Sequence, residues 1–281
     1  MKIFAYCFIV VLCCFSMYAK GQVGKTPAFG NNKSVGRYAD IRGFKMYYEV
    51  YGKGKPLLMI HGNGGSIRDF ANQIDYFSKS YKVIVPDSRA QGKSIDAGDS
   101  LSYEMMADDM NALLTALKLD SCDVIGWSDG GINGVLLAMR HPKKVRKLAI
   151  TGTNLWPDTT ALDPFTYQWI VDGYNDSKKK PVTAEVKNQS KLLGLMIFQP
   201  HITLKQLRAV QCPTLVIGGD HDVILPEHTL LIAKAIPKSY LWILPNSGHS
   251  TLVYYKDEFN ETVRSFFRKP YRKIEGKERL N

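Results

Sequence analysis

The hydrophobic and polar positions of this chain fall into two periods. Six short runs are apolar almost throughout and rich in β-branched residues: "PLLMIHG" (56–62), "YKVIVPD" (81–87), "CDVIGWS" (122–128), "VRKLAITG" (145–152), "PTLVIGGD" (213–220) and "SYLWILP" (239–245). Runs without alternation suit strands buried on both faces, as in a parallel sheet. Between several of them the apolar spacing becomes helical, at 102–119, 131–142 and 226–237, and again at 256–269. Ser102 is placed to cap the first of these, and prolines bound the middle two. Ahead of them, "YADIRGFKMYYEVYG" (38–52) predicts an antiparallel hairpin. Strand alternating with helix argues for an open, mostly parallel sheet with helices on both faces.

One stretch breaks the alternation. From about Leu155 to Leu207 no clear strand–helix unit appears, while Trp156, Phe165, Tyr167, Trp169, Tyr174 and Phe198 accumulate beside the basic cluster Lys178 to Lys180. An aromatic-rich insertion after a strand edge reads as a lid over a pocket. The plainer reading is a surface helical pair with a small core of its own.

Composition narrows the class. With 45% hydrophobic and 22% charged residues in 281, the chain reads as an ordinary globular protein able to bury a large core. Residues 1–21 differ: Lys2, an apolar run from Ile3 to Phe15, then small residues at Ala19 and Gly21 have the layout of a secretory signal peptide. A secreted or periplasmic protein follows, with no stable membrane insertion once the signal is removed; an uncleaved anchor is the alternative. The formal charge is +11, and the tail "RKPYRKIEGKER" (268–279) holds much of it. Such a tail is usually solvated, and with no reading module visible, no nucleic-acid partner is expected. Cys122 and Cys212 are the two cysteines beyond the signal segment, and they read as buried free thiols. A disulfide between them is the alternative in an oxidising compartment.

The chemistry begins at Ser128, in "GWSDGG" (126–131). It lies where a predicted buried strand meets a predicted helix, with Gly126 and Gly130 on either side. In G-x-S-x-G the glycines permit a sharp turn that exposes the hydroxyl above the sheet edge. A serine hydroxyl is a weak nucleophile and needs a base, which needs an orienting acid. Both follow in the order the motif requires. "GGDHDVILPE" (218–227) offers Asp220 and Asp222, and "PNSGHSTL" (245–252) offers His249, each at the carboxyl end of a strand. An oxyanion hole needs two donors: the backbone N–H of Asp129 and that of Asn63 in "HGNGG" (61–65).

"HGNGG", "PDSRAQGKS", "GWSDGG", "GGDHDVILP" and "SGH" together resemble the α/β-hydrolase superfamily over nearly all of residues 38–268. The resemblance implies a mostly parallel eight-stranded sheet with a small helical cap. The core would run over 22–154 and 208–269, the cap over 155–207 and a basic tail over 270–281. It implies Ser128 as nucleophile, His249 as base and Asp222 as acid, with Asp220 bracing its loop, His221 exposed and His61 orienting the oxyanion loop. Asp129, Trp127, Gly62 and Trp156 are the candidate substrate-binding residues. No metal or organic cofactor is implied. Ala90 stands where the family commonly has glycine, in a loop read as structural. "GWSDGG", "VQCPTLVIGGDHD" (210–222) and "DEFN" (257–260) resemble the valacyclovir-hydrolase-like (biphenyl hydrolase-like) branch. There the acid after the serine is associated with α-amino esters; at a helix start it equally favours the helix dipole.

The expectation is a serine hydrolase of small carboxylic esters, α-amino acid esters among them, acting on a small-molecule partner. A proline-iminopeptidase-like aminopeptidase, a lactonase and a cofactor-free haloperoxidase or perhydrolase are the enzymatic alternatives. A ligand-binding protein of the same fold is the non-enzymatic one.

Overall fold

A computed structural model describes residues 28–280. The proposed signal segment, residues 1–21, lies outside the described residues. Eight strands form one sheet: β1 (Arg37–Ile41), β2 (Phe44–Tyr51), β3 (Lys55–Ile60), β4 (Tyr81–Pro86), β5 (Cys122–Trp127), β6 (Val145–Thr151), β7 (Thr214–Gly219) and β8 (Ser239–Leu244). Their spatial order is β1-β2-β4-β3-β5-β6-β7-β8. The hairpin partners β1 and β2 are antiparallel, as are β2 and β4, and every other pair is parallel.

The unbroken apolar runs have a direct explanation. Successive strand residues point to opposite faces, and both faces are covered. Leu58, Ile60, Val124, Leu148, Ile150 and Val216 pack under one helical layer. Leu57, Met59, Ile125, Ala149, Leu215 and Ile217 pack under another. The helices are α1 (Ala71–Phe77), α2 (Tyr103–Ala116), α3 (Asp129–Arg140), α4 (Pro164–Lys179), α5 (Ala184–Phe198), α6 (Pro226–Ala235), α7 (Thr251–Tyr254) and α8 (Lys256–Arg268). Helices α2, α3 and α6 cover the first face, and α1 and α8 the second. Ser102 caps α2 as expected, its hydroxyl accepting from the Met105 N–H at 3.1 Å. Helix α3 starts two residues earlier than the apolar spacing suggested, so Ser128 is its N-cap and Asp129 its first residue. Helix α1 was not expected at all.

Between β6 and β7 the chain leaves the sheet. Helices α4 and α5 pack on each other there. Ala161, Leu162 and Ile170 meet Ile224 from the core, with Leu193, Met196 and Ile197 against them. Asp163 and Thr183 cap the two helices through the N–H groups of Thr166 and Val186. Cys122 is buried, Cys212 is half-buried, and both are free thiols. Part of the basic tail folds back on the sheet edge: Tyr271 stacks on Tyr240 of β8 with ring centroids 5.2 Å apart. Among the described residues no helix is long and apolar enough to cross a membrane.

Candidate active site

The carboxyl ends of β3, β5, β6, β7 and β8 carry the candidate residues. Ser128 follows β5 with φ 56° and ψ −123°, a conformation few non-glycine residues adopt. It is held there by its own N–H, which donates to Thr151 O at 2.9 Å, and by its carbonyl, which accepts from Gly131 N–H at 2.8 Å. The neighbouring glycines are required by close approach. A Cβ on Gly130 would lie 1.9 Å from the Ile60 carbonyl oxygen, and one on Gly126 would lie 2.3 Å from the Gly130 carbonyl oxygen. Gly62 faces the serine, since a Cβ there would sit 3.1 Å from Ser128 Cβ.

His249 and Asp222 meet across the loops after β8 and β7. His249 Nδ1 lies 2.7 Å from Asp222 Oδ1, which also accepts from the Ile224 N–H at 3.0 Å. The Asp222 side chain is fully buried, whereas the His249 side chain is 25% exposed. Asp222 Oδ2 is buried without a partner among the described residues, which leaves the imidazole as the one side chain its charge addresses. Asp220 braces the two loops. Its Oδ1 accepts from the Ser247 N–H at 3.0 Å and pairs with His221 Nδ1 at 2.8 Å, and the His221 partner holds its carboxyl well below the usual range. The His221 side chain is 75% exposed.

Trp127 Nε1 donates to the His249 carbonyl at 3.0 Å, so its indole holds the histidine loop from below. Trp156 stands edge-on to buried His228, with ring centroids 4.5 Å apart, at the root of the α4–α5 insertion. His228 Nε2 accepts from the Leu155 N–H at 3.0 Å, and burial pulls its pKa down to about 4.

The loop after β3 is ordered from beneath by His61. Ser88 N–H donates to His61 Nε2 at 2.9 Å, so Nδ1 carries the proton and donates to the Gly62 carbonyl at 2.8 Å. A ring used this way orients the loop. Ala90 adopts φ 64°, the left-handed conformation that explains why glycine is common there.

Asn63 and Asp129 touch through their side chains, Asn63 Nδ2 donating to Asp129 Oδ2 at 2.9 Å. Asp129 is 4% exposed, and the neighbouring Tyr103 hydroxyl of α2 favours its charged form. Burial pushes its carboxyl up from the ordinary aspartate value, while Asn63 and Tyr103 pull it back. Neither Asn63 nor Tyr103 is a cation, so the carboxylate is buried without a neutralising partner among its hydrogen bonds.

The α5 helix roofs this end of the sheet along a polar seam. Asn63 Nδ2 also reaches the Leu192 carbonyl at 3.2 Å, Asn188 Nδ2 donates to Ala90 O at 2.8 Å, and Lys191 pairs with Asp96 at 2.9 Å. Asp96 in turn pairs with Arg89, which binds Asp109 through two nitrogens at 2.7 and 2.9 Å.

Gly152 and Tyr103 were missed in the sequence. A Cβ on Gly152, at φ 62°, would lie 2.6 Å from His249 Cε1. The available signal was a glycine closing an apolar strand at the sheet's carboxyl edge. Nothing in the sequence distinguishes Tyr103 from any other tyrosine in a helix. Chemically, the arrangement can orient an imidazole against a buried carboxylate on the sheet edge that also carries a hydroxyl at a strained turn.

Residues 55–183 match the model of a protein family described as the alpha/beta hydrolase fold. The serine hydrolase BPHL of Homo sapiens is 28% identical over 265 residues, covering 87% of this chain and 90% of that protein. The 2-hydroxymuconate semialdehyde hydrolase of Pseudomonas sp. (strain CF600) is 28% identical over 282 residues, covering 84% and 95%. Among solved structures, Est816, described as an N-acyl homoserine lactone degrading enzyme, superposes with a TM-score of 0.68 at 26% identity, covering 82% of this chain and all of that one.

Proposed function

Because the chain is a hydrolase of the α/β-hydrolase superfamily, we propose that it cleaves small carboxylic esters through Ser128, His249 and Asp222. His249 Nε2 takes the proton of Ser128 as Oγ attacks the ester carbonyl, and Asp222 holds the imidazole through Nδ1. The backbone N–H groups of Asn63 and Asp129 receive the developing oxyanion at the start of α3, where the helix dipole adds to them. His249 then protonates the departing alkoxide. Water, deprotonated by the same ring, attacks the acyl-enzyme and restores Ser128.

The observation that carries this reading is the 2.7 Å pairing of His249 with a buried carboxylate on the sheet edge that holds Ser128 at positive φ. Hydrolysis of p-nitrophenyl butyrate by the wild type, set against Ser128→Ala, tests it. A fall of at least ~10³-fold is expected; an undiminished rate in Ser128→Ala rejects it.

One observation favours α-amino esters within this class. Asp129 is a buried carboxylate whose hydrogen-bonded partner Asn63 and neighbour Tyr103 are both neutral. A substrate ammonium would supply the missing charge and gain most from doing so out of water. The N-terminal layout supports export to the periplasm or medium with loss of residues 1–21. An intact mass of the exported protein beginning at Gln22 tests this, and a mass retaining Met1 rejects it.

A further inference from the structure

We propose that the side chains of Asn63, Asp129 and Tyr103 form a clamp that fixes the spacing of the two oxyanion N–H groups and ties that spacing to α5. The inference rests on the functional reading above and assigns these side chains a role that reading does not need. All three are positioning residues in this role.

The two residues whose backbone N–H groups would hold the oxyanion are bonded to each other by their side chains, Nδ2 of Asn63 to Oδ2 of Asp129 at 2.9 Å. The two backbones differ in stiffness. Asp129 sits at a turn locked by strand pairing and by the first turn of α3. Asn63 sits among Gly62, Gly64 and Gly65, and Gly64 adopts φ 67°. A run of glycines has the largest conformational entropy to lose. His61 holds the Gly62 carbonyl, and the Gly65 N–H closes a turn on the same carbonyl; what that turn still lacks is a tether between Asn63 and the other donor. An amide bonded to a carboxylate is such a tether, stronger than a neutral pair.

The tether is itself anchored. Tyr103, 1% exposed, sets its hydroxyl beside Asp129, where it favours the charged form of that carboxyl. The second amide hydrogen of Asn63 reaches Leu192 O in α5 at 3.2 Å. The backbone N–H of Tyr103 donates to Gln199 Oε1, just past the end of α5, at 3.2 Å. Helix α5 and the residue that ends it thus reach the clamp at two points, Leu192 at Asn63 and Gln199 at Tyr103. A shift of α5 would move Asn63 and Tyr103 together, and with them the geometry of the hole.

The test uses the full-length protein and two readouts. The first is the rate at which a fluorophosphonate labels Ser128, which needs the nucleophile and the oxyanion hole and no particular acyl group. The second is inhibition by a trifluoromethyl ketone, whose adduct places an oxyanion in the hole, against inhibition by butyrate, which forms none. Asn63→Ala and Tyr103→Phe each keep every backbone N–H. In Asn63→Ala, labelling and ketone affinity should fall together by ~10–100-fold, towards the loss seen when an oxyanion donor is removed, while butyrate inhibition stays within about threefold. Tyr103→Phe should show the same pattern at ~3–10-fold. Asp129→Asn, which keeps an acceptor for Asn63, should recover most of what Asp129→Ala loses.

The clamp is overturned if Asn63→Ala labels and binds the ketone as the wild type does. It is equally overturned if butyrate inhibition and melting temperature fall while labelling is spared. Loss in Ser128→Ala with none in the clamp variants sinks the clamp alone. Labelling that persists in Ser128→Ala sinks the functional reading and the clamp with it.

Discussion

Replacing Gly152 with alanine should disable the site without substituting any residue that contacts substrate. An added Cβ would lie 2.6 Å from His249 Cε1 and 2.8 Å from Nδ1, against about 3.4 Å for ordinary contact. Relief requires a retreat of about 0.8 Å. Taken up by the ring, a shift of that size away from Asp222 stretches the 2.7 Å bond of Nδ1 to about 3.5 Å, where little of it remains. Taken up by the backbone, it strains the Gly152 N–H bond to Ile217 O, already 3.3 Å long. The left-handed φ of 62° adds about 1–2 kcal/mol for any residue with a Cβ. Misplacing a reacting group by about 1 Å costs on the order of 100-fold in rate, or about 2.7 kcal/mol of barrier. Gly152→Ala is therefore expected to lower kcat/KM for p-nitrophenyl butyrate by ~100-fold. Its melting temperature should fall by only about 3–8 °C. Calorimetry and initial rates on the same preparation read both. A folded variant with a rate within threefold of the wild type would refute the placement of His249 as the working base.

Other consequences are equally direct. His228 is fully buried, and burial lowers its pKa from 6.5 to about 4, so the unfolded chain binds the extra proton first. Its contribution to stability is complete above pH 6.5 and is lost as pH falls towards 4, by about 3 kcal/mol in total. Urea unfolding across that window should be flatter in His228→Gln, and an identical slope would contradict the assignment. Arg89→Met leaves Asp96 and Asp109 buried beside one cation fewer, and should cost about 3–5 kcal/mol; a loss under 1 kcal/mol would show the network to be dispensable. If Asp129 receives an ammonium, the wild type should prefer the p-nitrophenyl ester of 2-aminobutyrate to that of butyrate, and Asp129→Asn should erase the preference. Equal rates in the wild type would end that reading.

The sequence exposed the sheet because burial on both faces writes itself as unbroken apolar runs, and the order of serine, acid and histidine because each closes one such run. The α4–α5 insertion was harder to read. Helix α4 presents Phe165 and Trp169 outward, 80% and 48% exposed, so its apolar residues mark no single face. Helix α1 has seven residues and too few apolar positions to establish a period. Gly152 and the Asn63–Asp129–Tyr103 contacts depend on how separate strands and helices converge, and no local pattern encodes that. Asp129 is the instructive case. At a helix start a carboxylate is ordinary, and its burial against Asn63 and Tyr103 emerges once α2 and the β3 loop are placed around it.

If Ser128 is an activated nucleophile, a fluorophosphonate must bond to it covalently. Folded wild-type protein is treated with a fluorophosphonate at neutral pH, digested, and the adduct located by peptide mass spectrometry. A single adduct is expected on the peptide carrying Ser128, absent in Ser128→Ala and strongly slowed in His249→Ala. A folded protein that takes up no label, or takes it up elsewhere with Ser128 untouched, would contradict that role.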